Sequence, residues 1–194
     1  MNSKACVTYN QVNDILTNKK SEYREEFSEQ LTNLEDLYEL YQVLQKAREE
    51  RGALEFNTTE TRIVFDDDSK IKEIVPVTRN DAHKLIEECM LMANVATARY
   101  LKWHKIPIVY RVHEKPLEER LKNVRTFLGD FSLTLEGGDE PTAHDYAAVM
   151  AKVAGEPHEH LVQTVMLRSM NQAVYHPDNK GHFGLNYEHY THFT

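Results

Sequence analysis

Two groups of side chains in this sequence have the chemistry to hold a metal ion, and the first is a run of carboxylates. Asp66, Asp67 and Asp68 are consecutive, and carboxylate oxygens are the ligands that hard cations such as Mg²⁺ prefer. Three successive residues on a tight turn cannot all converge on one ion, however. They also precede a serine and a lysine between two apolar runs. The pattern is therefore typical of a solvated turn rather than of a metal site.

Histidines form the second group. They recur toward the end of the sequence as His158, His160, His176, His182, His189 and His192. Imidazole is a common zinc ligand, but structural zinc sites usually add cysteines, and no cysteine is close to these histidines in the sequence. We interpret them as ordinary polar residues. A histidine-based metalloenzyme is kept as a rival hypothesis.

A pair of glutamates and a cysteine are adjacent in the string RNDAHKLIEECMLMAN. Glu87 and Glu88 flank the apolar stripe of a predicted helix, where periodicity alone indicates a solvated face. Cys89 lies on that stripe, and a cysteine in such a position is more typical of packing than of a nucleophile. The sequence contains no GxGxxG, P-loop, GxSxG or HExxH pattern. Motif spacing therefore identifies no catalytic centre.

Composition is that of an ordinary globular protein, with 41% hydrophobic and 28% charged residues among 194. The net charge of −8 argues against a nucleic-acid-binding protein, which usually carries a basic patch, unless the basic regions lie elsewhere in a longer protein. No apolar run is long enough to span a membrane, and the first residues lack a signal-peptide core. We expect a cytoplasmic protein with Cys6 and Cys89 reduced and no membrane partner.

Apolar residues spaced three and four apart predict that the fold is mostly helical. Asn80 or Asp81 is expected to cap one helix, and Gly52, Gly129 and Gly155 to follow the ends of three others. Pro116 and Pro141 are placed for the first turns of two helices. The predicted helices cover residues 8–18, 28–51, 80–104, 116–129, 141–155 and 158–175.

Strand patterns interrupt the helices at two places. Partial alternation over 53–65, a turn over 66–70 and a second run over 71–77 predict a β-hairpin, with Pro76 confining the second strand to an edge. A buried strand is predicted over 106–113. The aromatic and polar tail, 176–194, is expected to pack against something outside this chain. The predicted fold class is α+β, predominantly helical with a β-hairpin and further short strands.

Several strings resemble the ribonuclease II (RNB) group of exoribonucleases, and within it the ribonuclease R branch. They are RNDAHKLIEECMLMAN, YRVHEKP, MLRSMNQAVYHPDNKGHFGL and YTHFT, and they follow one another along almost the whole chain. The ARE-ERG junction and the RGALEF string favour the ribonuclease R branch. The resemblance implies a processive 3′-to-5′ enzyme that hydrolyses single-stranded RNA to nucleoside 5′-monophosphates.

The resemblance also implies that residues 1–194 are an incomplete RNB catalytic domain. The family's upstream aspartate-rich motif, D-P-x-x-x-x-D-x-D-D, holds Mg²⁺, and no such motif occurs here. After Y-x-H-F-T the family continues with an arginine motif, S-P-I-R-R-Y-x-D, whereas this chain ends at Thr194. We therefore expect the Mg²⁺ ligands and the catalytic residues to lie outside this chain, and the isolated chain to be inactive.

Three positions match residues that contact RNA in the family. Tyr9, in KACVTYNQV, matches a tyrosine that lines the RNA channel and helps to sense the ribose. Glu87 matches a carboxylate that accepts a hydrogen bond from a ribose hydroxyl, and Phe56, in RGALEF, matches an aromatic that stacks on the terminal bases. Packing for Phe56, a helix surface for Tyr9 and a solvated face for Glu87 are the structural alternatives.

The alternative function is a non-catalytic helical interaction module whose aromatic tail binds a protein partner. The resemblance makes single-stranded RNA the expected partner, in the context of a longer enzyme. A half-domain that survives alone must cover an exposed sheet edge or core face, so self-association of this chain is a further expectation.

Overall fold

The computed structural model of the chain describes residues 3–56 and 60–194. Two compact units are present, one comprising residues 1–45 and 58–89 and the other residues 46–57 and 90–194. The fold class is α+β and mainly helical, as predicted. In order, the elements are α1 (Tyr9–Thr17), α2 (Tyr23–Glu26), α3 (Ser28–Arg51), β1 (Glu60–Phe65), β2 (Ile71–Val77), α4 (Asp81–Trp103), β3 (Tyr110–Val112), α5 (Glu118–Asp130), α6 (Ala143–Val153), α7 (Glu159–Ser169) and β4 (Val174–His176).

In the first unit, α1 begins with a capping box. The Thr8 hydroxyl accepts a hydrogen bond from the Gln11 backbone N–H at 3.3 Å, and the Gln11 side chain accepts one from the Thr8 N–H at 2.8 Å. These two bonds satisfy backbone donors that a helix start leaves unpaired. The side of α1 around Ile15 is buried, which confirms the predicted apolar face. Tyr9 is thereby fixed as the first residue of the helix.

The hairpin of β1 and β2 is antiparallel, with Ile63 opposite Ile74 and Thr61 opposite Pro76. Asp66 organises its turn, because its Oδ1 atom accepts hydrogen bonds from the backbone N–H groups of Asp68 at 3.0 Å and Lys70 at 2.9 Å. The turn interpretation of the three aspartates is confirmed. With only two strands, β2 is an edge, so Pro76 removes no bond that a central strand would need.

In the second unit, α5, α6 and α7 enclose the main core. Val124, Leu128, Tyr146, Val149 and Met166 are completely or almost completely buried there. The hydroxyl of Tyr146 lies 3.1 Å from the Ser169 hydroxyl, so this large buried ring has a partner for its polar end. Thr142 and Asp145 form a capping box at the start of α6. The sequence predicted that Pro141 lies in the first turn of α6. In the structure it lies one residue before the cap, Thr142.

Strand β4 pairs antiparallel with β3, with Tyr110 opposite His176 and Val112 opposite Val174. The prediction of one long helix over 158–175 was wrong, because α7 ends at Ser169 and the chain then extends to reach β3. The predicted strand over 106–113 is shortened to three residues. Helix α2 was not predicted, and α5 begins after Pro116 and includes Gly129.

Residues 53–56 were predicted to begin the first hairpin strand, and this was wrong. They are irregular, and Leu54 is buried in the core of the second unit while its backbone N–H donates to the Gly184 carbonyl at 2.8 Å. Leu54 and Phe56 are two residues apart and both contact that core, which produces an alternation that resembles a strand. Residues 57–59 of the prediction lie outside the described residues.

The tail packs inside the second unit, so the prediction that it needs something outside this chain was wrong. Tyr190 and Thr191 are buried, and the Arg111 backbone N–H donates to the Tyr190 carbonyl at 2.9 Å. Asn94, on α4, is fully buried. Its amide donates to the Thr194 hydroxyl at 2.9 Å and accepts from the Phe193 N–H at 3.2 Å. These bonds fix the last residues to the helix.

Gly52 ends α3 with a positive φ of 69°, as its position in the sequence predicted. A Cβ atom added there would lie 2.3–2.5 Å from ring atoms of His144, whereas one added at Gly155, where φ is 80°, would meet nothing within 4 Å. We expect Gly155→Ala to lower the free energy of unfolding by about 1 kcal/mol, the cost of the left-handed conformation alone. Gly52→Ala should cost more, and chemical denaturation measures the difference. The Gly52→Ala/His144→Ala double variant should bring the cost back toward that of Gly155→Ala, and equal costs for the two single variants would contradict this assignment.

His182 makes the stability of the second unit depend on pH. Its ring lies edge-on to His113 at 5.1 Å and to Tyr190 at 5.2 Å, and its Nδ1 atom accepts the Leu185 N–H at 3.2 Å. Burial, reinforced by the nearby His113, lowers the pKa of His182 from its ordinary value to about 4. The folded protein resists protonation of the His182 ring. The contribution of this neutral ring to the free energy of unfolding is therefore complete above pH 6.5 and is lost as pH falls toward 4.

We expect the free energy of unfolding to fall across that range by about 3 kcal/mol from this group at most. His182→Gln keeps a hydrogen-bond acceptor and removes the titration, so its unfolding free energy should depend less steeply on pH between 7 and 4. Denaturant unfolding followed by circular dichroism at several pH values measures both slopes. Identical slopes in the two proteins would show that His182 is not the responsible group.

Candidate nucleic-acid interface

Tyr9 and Glu87, two of the three residues predicted to contact RNA, belong to the first unit. Tyr9 is 46% exposed at the start of α1, and its ring stacks on the imidazole of His83 at 4.0 Å with an angle of 19° between the planes. His83 and Glu87 are four residues apart on α4, so they lie on the same face of the helix, one turn apart. Sequence reasoning did not identify His83.

His83 is held in place by the residue that caps α4. The Asn80 side-chain oxygen accepts the His83 backbone N–H at 3.3 Å and lies 2.7 Å from the His83 Nδ1 atom. Asn80 also donates to the Asn10 side chain at 3.2 Å, which connects the starts of α1 and α4. The sequence offered Asn80 or Asp81 as the cap of this helix, and the structure assigns the role to Asn80. The Tyr9–His83 stack is therefore positioned by hydrogen bonds on both helices.

Glu87 is engaged by Arg79 through both carboxylate oxygens. The Arg79 Nε atom donates to Oε1 at 3.0 Å, and an Nη2 atom of the same guanidinium contacts Oε2. Paired in this way, the carboxylate keeps unused lone pairs and remains partly exposed, so it can accept a further hydrogen bond from a hydroxyl. Arg79 was also missed by sequence reasoning. Its only sequence signal is a cation placed just before the helix that carries the glutamate.

An apolar groove of about 540 Å³ lies beside Tyr9. Val12, Leu34, Leu37, Leu85 and Ile86 contribute to its walls. A volume of this size is in the range of small-molecule sites. Stacked aromatics at the rim of an apolar groove next to a hydrogen-bond acceptor provide what a nucleoside requires, namely a flat surface for the base and an acceptor for a sugar hydroxyl.

Phe56 is in a different setting. It is half-buried in the second unit and packs against the core that contains Leu54 and Tyr146. These core contacts give the Phe56 ring a packing role. Base stacking by Phe56 stays a prediction.

Several of the other histidines singled out in the sequence have structural partners. His158 stacks on Phe131 at 4.9 Å, and the His192 Nδ1 atom lies 2.9 Å from the Tyr190 hydroxyl. Within residues 3–56 and 60–194, no three histidine, cysteine, aspartate or glutamate side chains are grouped so that they could hold a metal ion. Burial, and then the charge of Glu88, raise the pKa of the Cys89 thiol, which disfavours the thiolate that a nucleophile needs.

No helix in the described part of the chain is long and apolar enough to cross a membrane.

Comparison with known proteins places this arrangement in a family. The RNB domain family model matches residues 1–194. Ribonuclease R of Vibrio cholerae is 52% identical over the whole chain, which spans 24% of that protein, and ribonuclease R of Escherichia coli is 44% identical over the same residues. The chain thus spans about a quarter of the length of these curated relatives.

A solved structure agrees with the sequence comparison. Mycoplasma genitalium RNase R, in complex with ribose-methylated single-stranded RNA, matches 96% of this chain and 29% of its own length. The TM-score is 0.85 and the sequence identity 28%. The elements described above therefore have the same fold as the corresponding segment of that protein. The family resemblance seen in the sequence is confirmed. This chain belongs to the RNB domain family.

Proposed function

We propose that this chain is part of the RNA channel of a 3′-to-5′ processive exoribonuclease, which hydrolyses single-stranded RNA to nucleoside 5′-monophosphates. Within that enzyme it shapes the channel and positions the 3′ nucleotide. The observation that carries the proposal is the Tyr9–His83 stack one helical turn from the Arg79-bound carboxylate of Glu87. Relatives named ribonuclease R, and one RNase R solved with RNA, support it.

Glu87 supplies the contact that distinguishes RNA from DNA. Its carboxylate accepts a hydrogen bond from a 2′-hydroxyl, which DNA lacks. A carboxylate near a phosphate chain would normally repel the ligand, but the Arg79 guanidinium offsets its charge. Arg79 also fixes the orientation of both oxygens, so little side-chain freedom is lost when the hydroxyl binds.

The resemblance assigns Tyr9 to sensing the ribose, whereas its exposed ring, stacked on His83, favours a contact with the base that does not depend on the sugar. A base stacked on its exposed ring extends the Tyr9–His83 stack, and the apolar groove beside it excludes water from the base. Stacking does not require a particular base, which suits an enzyme that degrades RNA of any sequence. The role of these residues is proximity and orientation of the 3′ nucleotide.

Mg²⁺ is the cofactor proposed for the parent enzyme, where it would activate water and stabilise developing phosphate charge. The residues described here do not fit a site for it, since they include no cluster of three potential ligands. We therefore propose that the Mg²⁺ ligands lie in other parts of the longer protein.

Because residues 3–56 and 60–194 include no such cluster, the purified chain is expected not to release nucleotides from single-stranded RNA when Mg²⁺ is added. Chromatography of a uniformly labelled oligonucleotide after incubation with Mg²⁺ and with a chelator measures this. A ribonuclease R that spans the whole domain serves as the positive control. Release of nucleoside monophosphates that disappears with the chelator would refute this prediction.

The ribose contact is tested by comparing the affinities of RNA and DNA oligonucleotides of the same sequence. Glu87→Ala should reduce the preference for RNA about tenfold, the order expected for one hydrogen bond to a charged group. Tyr9→Ala should weaken both ligands by about 1–3 kcal/mol, while Tyr9→Phe, the matched control, keeps the stacked ring and should bind both nearly as well as the native chain. Fluorescence anisotropy gives the dissociation constants. An unchanged RNA-to-DNA ratio in Glu87→Ala would contradict the role given to Glu87.

The alternative, an interaction module, has one observation in its favour. Ile63, Phe65, Ile71 and Ile74 of the hairpin are all exposed, and exposed apolar surface is typical of a contact with another protein. The same surface is compatible with self-association of the chain. The interaction module would become the favoured function if the chain failed to bind RNA and self-associated through the hairpin. Analytical sedimentation tests this, because an Ile63→Lys variant should then remain monomeric while the native chain associates.

A further inference from the structure

The C-terminal half of α4 and the residues after it carry a net positive charge because they contain no acidic residue. The chain has 31 acidic residues, yet none occurs between Glu88 and Glu114. Arg99, Lys102 and Lys105 lie in this interval. A segment free of acidic residues attracts anions locally, although the whole chain is negative.

Two large aromatic side chains lie among these cations and point into solvent. Trp103 is 84% exposed and Tyr100 is 61% exposed. The Tyr100 ring also contacts that of His104, with centroids 4.4 Å apart. Exposing an indole to this extent leaves apolar area in water that folding would normally bury. The surface formed by Arg99, Tyr100, Trp103 and Lys105 is called the basic-aromatic helix end below.

The helix terminus itself explains part of this composition, but not all of it. Its last turn is closed by hydrogen bonds from the Ile106 N–H to the Leu101 carbonyl and from the Lys105 N–H to the Lys102 carbonyl, both at 3.0 Å. This is the Schellman arrangement, and it places Lys105 at a φ of 55°, where glycine is preferred. Cations near a helix C-terminus are stabilised by the helix dipole. Neither the exposed aromatics nor a lysine in the left-handed position follows from that.

The cations differ in how far they are already paired. The Lys102 ammonium contacts the imidazole of His189 and lies 3.9 Å from a carboxylate oxygen of Glu188. Arg99 and Lys105 are exposed. Glu188 is itself 84% exposed, so its side chain can turn away from an incoming anion. Two cations and two aromatic faces are thus available to one ligand.

We infer that the basic-aromatic helix end is a second contact surface for single-stranded nucleic acid. Bases stack on Trp103 and Tyr100, and phosphates lie against Arg99 and Lys105. Alternating cations and aromatics are what single-strand binding uses, because every base has a π-face and every nucleotide a phosphate. The inference rests on the proposed RNA-binding function for the identity of the natural strand, single-stranded RNA. Since no sugar hydroxyl is involved, this surface binds DNA and RNA alike.

Trp103 is the only tryptophan of the chain, so its fluorescence reports directly on this surface. A 12-nucleotide oligoadenylate, as RNA and as DNA, is titrated into the full chain at several salt concentrations. We expect saturable quenching of similar affinity with both strands. Each lost phosphate contact lowers the slope of log affinity against log salt by about 0.7 for single strands. DNA is the informative probe, because the ribose contact proposed for Glu87 does not act on it.

Variants separate charge, stacking and folding. Lys105→Gly should reduce the salt slope by about 0.7 while leaving the melting temperature equal or higher, because glycine suits the left-handed position. Lys122→Gln, on α5, removes the same charge elsewhere and should leave the slope unchanged. Trp103→Ala should weaken binding of a labelled oligonucleotide by roughly 5- to 100-fold, and Trp103→Phe by less.

Three outcomes would overturn the inference. Binding of the labelled oligonucleotide without Trp103 quenching would place the nucleic acid elsewhere and leave the channel proposal intact. Equal quenching by polyglutamate would show that charge alone, as in an acidic protein segment, is recognised. An absence of both quenching and DNA binding at low salt would also refute this second surface, whereas the channel proposal would still be judged by its own RNA-to-DNA ratio.

Discussion

The buried side chain of Asn94 determines where the end of this chain runs. An amide without water must find protein partners, and leaving one unpaired costs about 1–3 kcal/mol. Asn94 is completely buried, and its partners are the Phe193 N–H and the hydroxyls of Thr194 and Tyr190. Because all three belong to the last residues, α4 holds the tail in one path. Tyr190 then accepts a backbone hydrogen bond from Arg111, so the same constraint extends to β3 and to the β4 strand that pairs with it.

Helix α4 serves several purposes because its residues face different partners along its length. Its first turns carry Asp81, which accepts a hydrogen bond from the Tyr38 hydroxyl at 2.7 Å, together with His83 and Glu87 of the proposed RNA contact. Its later turns carry Asn94 and then the exposed Trp103. The first turns are held by polar bonds with α1 and α3, so the side chains offered to a ligand are already oriented. Such preorganisation reduces the entropy lost when RNA binds.

Local signals in the sequence were sufficient for most of the helices and for the turn and second strand of the hairpin. The bounds of α3 followed from its apolar spacing and Gly52, and the cap of α4 was narrowed to Asn80 or Asp81. The features missed depend on residues far apart in the chain. β4 forms because Val174 reaches Val112, and residues 53–56 are irregular because Leu54 bonds to Gly184. Tyr9 and Glu87 came from family resemblance. The stack on His83 and the pairing with Arg79 could not be predicted, since neither follows from a repeating pattern of residue types.

The net charge of the chain does not by itself argue against the proposed RNA ligand. Net charge is a sum over the whole molecule, whereas a phosphate in physiological salt responds mainly to charges within about 8 Å. Within such distances Arg79 offsets Glu87. The interval from Cys89 to His113 contains cations and no acids, and Glu188, from elsewhere in the chain, approaches Lys102 at 3.9 Å. An acidic domain can therefore bind RNA when its cations are placed beside aromatic rings and beside groups that accept a hydrogen bond from a ribose hydroxyl. In that case the spacing of charges along single helices is more informative than their total.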